Sequence, residues 1–175
     1  MFEPLRAGLP APAFELTDIP TGENVSLEEF EAEFVLLNFW SVECPWTENY
    51  DDYFVELIPQ LAEQGIPMIM IMSNRNESDD DILGKVEELG LDVPVLRDEN
   101  NHVADAYGTL TTPQLFVLDA ERVIRYQGAV DDRTFTKKAP DTNYLEDAIA
   151  ALLDGEEPEI TDSTATGCTI VRVIN

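Results

Sequence analysis

The sequence predicts an α/β fold, a central mixed β-sheet with helices on both faces, and three observations predict it. Two apolar runs, residues 34–40 and 66–72, read as strands buried on both faces. Each run is followed by a segment with apolar residues at three- and four-residue spacing, the period of a helix with one buried face. Residues 114–119 and 122–127 then read as two strands around a turn at Ala120-Glu121, a hairpin that adds antiparallel strands to an alternating order.

The remaining elements follow along the chain. Residues 1–12 carry Pro4, Pro10 and Pro12 and read as extended; Phe14–Thr17 alternates like a short strand, and residues 20–24 read as a turn. Ser26 is placed to cap a short helix containing Leu27 and Phe30. A helix is expected from Pro45 or Trp46 to Gln64, with Tyr50, Phe54, Leu57, Ile58 and Leu61 inward, a kink at Pro59 and a stop at Gly65. Ser78 or Asp79 caps the next helix, which buries Ile82, Val86 and Leu89 and ends at Gly90. The acidic run from Glu77 to Asp81 suits that helix start. Val93–Leu96 reads as a short strand, and Asn101–Tyr107 as a short helix ending at Gly108, with His102 on its surface or at its cap. Asn143–Asp154 is amphipathic, with Leu145, Ile149, Leu152 and Leu153 inward. Residues 1–155 are read as one domain and 156–175 as a C-terminal tail, acidic at first and then apolar around Cys168.

Composition narrows the function classes. Ten basic residues against 36 acidic ones leave a net charge of −26. Such a surface repels phosphate backbones and anionic lipid, so neither nucleic acid nor membrane is expected as a partner. The acidity serves either solubility or tolerance of high salt, and the salt dependence of stability separates the two. No apolar run approaches the roughly 20 residues that span a bilayer, and the first residues lack a basic-then-apolar leader, so the expected location is the cytoplasm. Two cysteines and one histidine make neither a disulfide-dense scaffold nor a metal-ligand set; no metal and no cofactor is expected.

Cys44 is the leading candidate for chemistry. It stands just after a buried strand and just before a helix, where unpaired N–H groups and the helix dipole favour a thiolate, the nucleophilic form. Pro45 suits the first helical turn, because its missing N–H is not needed there. Glu43 and Glu48 flank the cysteine and oppose ionisation by charge repulsion. The bland alternative is a small core cysteine with no reactivity.

Two segments carry a resemblance. Phe39-Trp40-Ser41-Val42-Glu43-Cys44-Pro45-Trp46-Thr47 resembles the active-site segment of the thioredoxin-like redoxin families, in which a strand leads into Cys-x-x-Cys at a helix start. Thr111-Thr112-Pro113-Gln114 followed by an apolar strand resembles their second signature, whose proline is cis and faces the active-site cysteine. A third stretch, Gly167-Cys168-Thr169-Ile170, is similar to the C-terminal Gly-Cys-x-Ile of some redoxin-domain proteins. The resemblance spans the chain from Phe14 onward. It implies a thioredoxin-like fold, places Thr112 and Pro113 beside Cys44, and makes Pro45, Trp46 and Thr47 the residues that shape the site.

The departures from those families matter as much. Thr47 replaces the second cysteine of Cys-x-x-Cys, so no local disulfide forms, and Asn38 stands where many thioredoxins have a buried aspartate. Ser41-x-x-Cys44 matches the Ser/Thr-x-x-Cys of peroxiredoxins, yet Leu37 replaces their usual proline and no arginine lies between Thr109 and Phe116. By this resemblance the expected function is thiol–disulfide oxidoreduction by Cys44, with Cys168 as the candidate resolving thiol. The partners would be thiol or disulfide proteins. A thiol peroxidase acting on hydroperoxides and a redox-silent binding module remain the alternatives.

Overall fold

The computed structural model describes residues 3–174. Residues 1 and 2 of the expected extended stretch, and Asn175 of the tail, lie outside the described residues.

The main sheet has seven strands: β1 (Glu15–Asp18), β2 (Asn24–Ser26), β3 (Phe34–Phe39), β4 (Met68–Met72), β5 (Val95–Arg97), β7 (Gln114–Asp119) and β8 (Ile124–Gly128). Their order across the sheet is β2-β1-β5-β4-β3-β7-β8. The three central strands β5, β4 and β3 run parallel; β1 and β2 on one side and β7 and β8 on the other pair antiparallel. A mixed sheet is what the alternating order plus a late hairpin predicts.

The two-residue period of a strand sends neighbouring side chains to opposite faces. Phe34 and Leu36 of β3, with Met68, Met70 and Met72 of β4, enter one core. There they meet Phe54, Leu57 and Leu61 of α2 (Asp51–Glu63), Ile82 and Val86 of α3 (Asp79–Leu89), and Leu145, Ile149 and Leu152 of α5 (Tyr144–Leu153). Val35, Leu37, Phe39, Ile69 and Ile71 face the other way, toward Val103, Ala104 and Tyr107 of α4 (His102–Tyr107). Both faces are therefore covered, which explains why the two central strands read as unbroken apolar runs. Among the described residues no helix is long and apolar enough to cross a membrane.

The helix expected from residue 45 to 64 is two helices. A single turn, α1 (Pro45–Glu48), is separated from α2 by Asn49 and Tyr50. The Tyr50 N–H donates to the Thr47 carbonyl at 2.9 Å, a tighter bond than the α-helical one, and Tyr50 then opens α2 by accepting the Phe54 N–H. The interruption thus falls at 49–50, and α2 runs on through Pro59, where the kink was expected. Strand β2 also lies where only a turn and a cap were expected, paired with β1 across the turn.

Two further strands build a second, small sheet. Thr111–Thr112 (β6) pairs antiparallel with Cys168–Thr169 (β9), with Thr112 opposite Cys168. The acidic part of the tail does not stand away from the body. The Ser163 N–H donates to the Gln127 carbonyl at 3.0 Å, and Asp162 accepts the Ala7 N–H at 3.0 Å. Beyond β9, Ile170 is buried in the second core, Arg172 pairs with Asp105 at 2.8 Å, and the Val173 N–H donates to Asn101 at 2.8 Å.

Candidate active site

The end of β3 delivers the loop Ser41–Glu43 and then Cys44, which caps α1. The Thr47 N–H, free at the first turn of a helix, lies 3.4 Å from the Cys44 Sγ and donates to it. Cys44 is 4% exposed. Its sulfur is bonded to that of Cys168, with the Cα atoms 6.0 Å apart, inside the range an unstrained backbone allows. Two cysteines 124 positions apart thus form one centre.

The other predicted residues converge on it. Thr112 is buried; its carbonyl oxygen lies 3.9 Å from the Cys44 Sγ, and its hydroxyl accepts a hydrogen bond from the buried Thr47 hydroxyl at 3.2 Å. The Thr112–Pro113 peptide is cis. Thr47 therefore fills the place of a second motif cysteine as a tie between α1 and the Thr112–Pro113 turn. Pro45 is exposed at the first helical position. Trp46 is half-buried between Tyr50 and the exposed ring of Phe135, whose centroids are 6.3 and 4.9 Å from its own, so it packs at the rim of the site.

Gly167 explains how the tail reaches the site. A Cβ at this position would fall 1.9 Å from the Thr112 carbonyl oxygen and 2.7 Å from its carbon. Only glycine lets the backbone before Cys168 lie directly on the backbone before Pro113.

Two buried carboxylates frame the site, and the sequence reading missed both. Glu77, expected as part of an acidic helix start, precedes the Ser78 cap and turns inward. Its Oε1 accepts the Ser41 hydroxyl at 3.1 Å, the Glu43 N–H at 3.1 Å and the Val42 N–H. The Ser41 Oγ in turn accepts the Cys44 N–H at 3.2 Å. Burial pushes the Glu77 carboxyl upward, while the Val42 and Glu43 N–H groups, the Asn74 side chain and the Ser41 hydroxyl pull it down. Its place before a Ser cap was the one signal that it lies outside the helix.

Asp51 is the second carboxylate. Its Oδ1 accepts the Trp40 indole N–H at 2.8 Å, tying the end of β3 to the start of α2, and Lys85 lies 3.8 Å from its Oδ2. Burial pushes its carboxyl up to about 6, against the opposing pull of Trp40 and Lys85. A folded-state value above the ordinary 3.8 means that the folded protein holds a proton the unfolded chain has released. Stability therefore falls as pH rises from about 4 to about 6, and stays lower above that window. Asp51→Asn keeps the acceptor for Trp40 and removes the charge. It is expected to stabilise the protein at pH 7.5 by at most about 3 kcal/mol, less what the Lys85 pairing contributes. Near pH 4 the gain should vanish. Urea denaturation at both values checks this, and a gain of equal size at both would contradict the assignment.

Among the described residues no group of three or more histidine, cysteine or acidic side chains is arranged to hold a metal ion.

A cysteine at a strand-to-helix junction, facing a cis X-Pro turn, defines the thioredoxin-like class of folds, and comparison with known proteins agrees. Residues 7–127 match the AhpC/TSA family, and the chain belongs to that family. It is similar to a thiol-disulfide oxidoreductase ResA of Bacillus thuringiensis subsp. konkukian, 30% identical over 119 residues that cover 68% of this chain and 67% of that protein. A ResA of Halalkalibacterium halodurans is 34% identical over 114 residues, covering 65% and 63% of the two chains. Among solved structures, a hypothetical protein from Sinorhizobium meliloti 1021 superposes with a TM-score of 0.90 at 28% identity, over 99% of this chain and 98% of that one. An uncharacterized conserved protein from Geobacillus kaustophilus gives the same score and identity, over 100% and 95%.

Proposed function

We propose that this protein is a thiol–disulfide oxidoreductase in which Cys44 is the nucleophile and Cys168 the resolving thiol. One observation carries the reading: the Cys44–Cys168 disulfide, formed across 124 positions of sequence at a helix start beside Thr112–Pro113. Family membership and the similarity to proteins named thiol-disulfide oxidoreductases support it.

The cycle balances without a cofactor. The Cys44 thiolate attacks one sulfur of a substrate disulfide, forming a mixed disulfide and expelling the first substrate thiolate. The Cys168 thiolate then attacks the Cys44 Sγ, expels the second substrate thiolate and closes the Cys44–Cys168 bond. The substrate disulfide leaves as two thiols, and the protein carries the oxidation. An external dithiol restores the pair. In the closed form Cys44 is buried and Cys168 half-buried, so the more open sulfur for that dithiol is Cys168. The departing Cys44 thiolate would be received by the Thr47 N–H.

Turnover tests the reading. The protein should accelerate the reduction of a protein disulfide by dithiothreitol, and Cys44→Ser should return the rate to background. With the reduced protein and the substrate disulfide alone, without dithiothreitol, Cys168→Ser should stop with substrate bound to Cys44. A hydroperoxide consumed faster than the disulfide would replace this reading with a peroxidase. No acceleration of either reaction, with Cys44→Ser indistinguishable from the parent, would leave a binding module.

A further inference from the structure

The loop joining β4 to α3 touches both cysteine-bearing segments. On one side Glu77 gathers Ser41, Val42 and Glu43, the three residues that lead into Cys44. On the other, Asn74 Oδ1 accepts the Val171 N–H at 2.8 Å, and the Arg75 N–H donates to the Val171 carbonyl at 3.0 Å, three residues past Cys168. Asn76 adds a hydrogen bond to the Glu43 carboxylate at 3.1 Å. Arg97 braces the loop from β5. Its guanidinium donates to the carbonyls of Asn74 and Glu77 and pairs with Asp79 at 2.8 Å. Both Glu77 and Asn74 are buried, at 2% and 5% exposure.

We infer that residues 74–77 form a clamp that sets the distance and orientation between the two thiols, with Glu77 and Asn74 as its positioning residues. The inference rests on the exchange reading above. The physical need for such a device is plain. Nothing local in sequence holds Cys168 near Cys44, and the strand pair beside the disulfide is only Thr111–Thr112 against Cys168–Thr169. The effective concentration of one thiol at the other depends on how firmly both segments are held. Glu77 fixes the Cys44 loop, Asn74 fixes the tail, and the short chain between them makes one rigid reference for both. Glu43 and Arg97 are the charged groups bonded to this loop, and Asp79 pairs with Arg97.

The experiment equilibrates the reduced protein with glutathione and glutathione disulfide, quenches by alkylation and weighs the products. The two protein thiols lose two electrons and two protons to glutathione disulfide, which becomes two glutathione molecules. Glu77→Ala and Asn74→Ala are each expected to lower the equilibrium constant for the Cys44–Cys168 disulfide by about tenfold or more. Glu77→Gln, which keeps an oxygen for the same three donors, should stay within about threefold of the parent. A second readout separates positioning from loosened folding. In a Cys168→Ser background, Glu77→Ala should displace the pH profile of Cys44 alkylation, and Asn74→Ala, which removes only one of the groups holding Glu77, should displace it less. Parent-like constants in both alanine variants would overturn the clamp while the exchange reading stood. Glu77→Gln as low as Glu77→Ala would overturn it too. A parent protein that never forms the disulfide would instead defeat the exchange reading itself.

Discussion

Reduction of the Cys44–Cys168 disulfide is expected to lower the free energy of unfolding by up to about 5 kcal/mol. The bond closes a loop across 124 positions, and a crosslink of that span removes a large part of the conformational freedom of the unfolded chain. The folded state gives up little on reduction, because the tail keeps its other anchors: Ile170 in the core, Arg172 on Asp105, and Asp162 on Ala7. Urea denaturation of the protein with and without a strong thiol reductant measures the difference. Cys168→Ser should behave like the reduced protein under both conditions. A difference below about 1 kcal/mol would mean that the crosslink restrains the unfolded chain far less than its span implies. Linkage runs both ways: whatever stability the disulfide lends the fold, the fold lends the disulfide.

Gly167→Ala is the second large effect. The added methyl would meet the backbone oxygen and carbon of Thr112, and backbone atoms, unlike the end of a flexible side chain, cannot swing aside. The tail must lift, and β9 must part from β6. Overpacking of this kind typically costs about 1–3 kcal/mol. Since about 1.4 kcal/mol is tenfold, the disulfide equilibrium constant should fall roughly five- to 150-fold, with the fold of residues 15–153 intact. Redox titration against glutathione reads the constant, and far-ultraviolet circular dichroism checks the fold. An unchanged constant would contradict the close approach of Gly167 to Thr112.

Much of the fold was legible because single strong signals governed it. Residues 34–40 and 66–72 read as strands since both of their faces are buried, and Gly90 and Gly108 closed their helices in left-handed conformation as expected. Position alone singled out Cys44, and the resemblance of 111–114 brought Thr112 and Pro113 to it. What escaped the sequence depends on contacts distant along the chain. The break at Asn49–Tyr50 rests on one short backbone bond, and no breaker residue marks it, whereas Pro59, a strong breaker on paper, sits inside α2. Strands β6 and β9 hold two residues each, too few for any periodicity. Glu77 was hidden within an acidic run whose other members, Asp79, Asp80 and Asp81, do occupy the first helical turn. Its partners lie 34 to 36 positions upstream, and no local pattern encodes that distance. The tail is alike: Asp162 and Ser163 are tied to β8 by hydrogen bonds that no local pattern in an acidic stretch encodes.

A single turnover of the fully reduced protein with a small model disulfide, quenched in acid at successive times and mapped by mass spectrometry, tests whether Cys44 attacks and Cys168 resolves. An adduct on Cys44 is expected to rise first and decay as the Cys44–Cys168 disulfide appears and the second model thiol is released, the order that assigns attack to Cys44 and resolution to Cys168. An adduct that forms first on Cys168, or one on Cys44 that persists while Cys168 stays free, would contradict it.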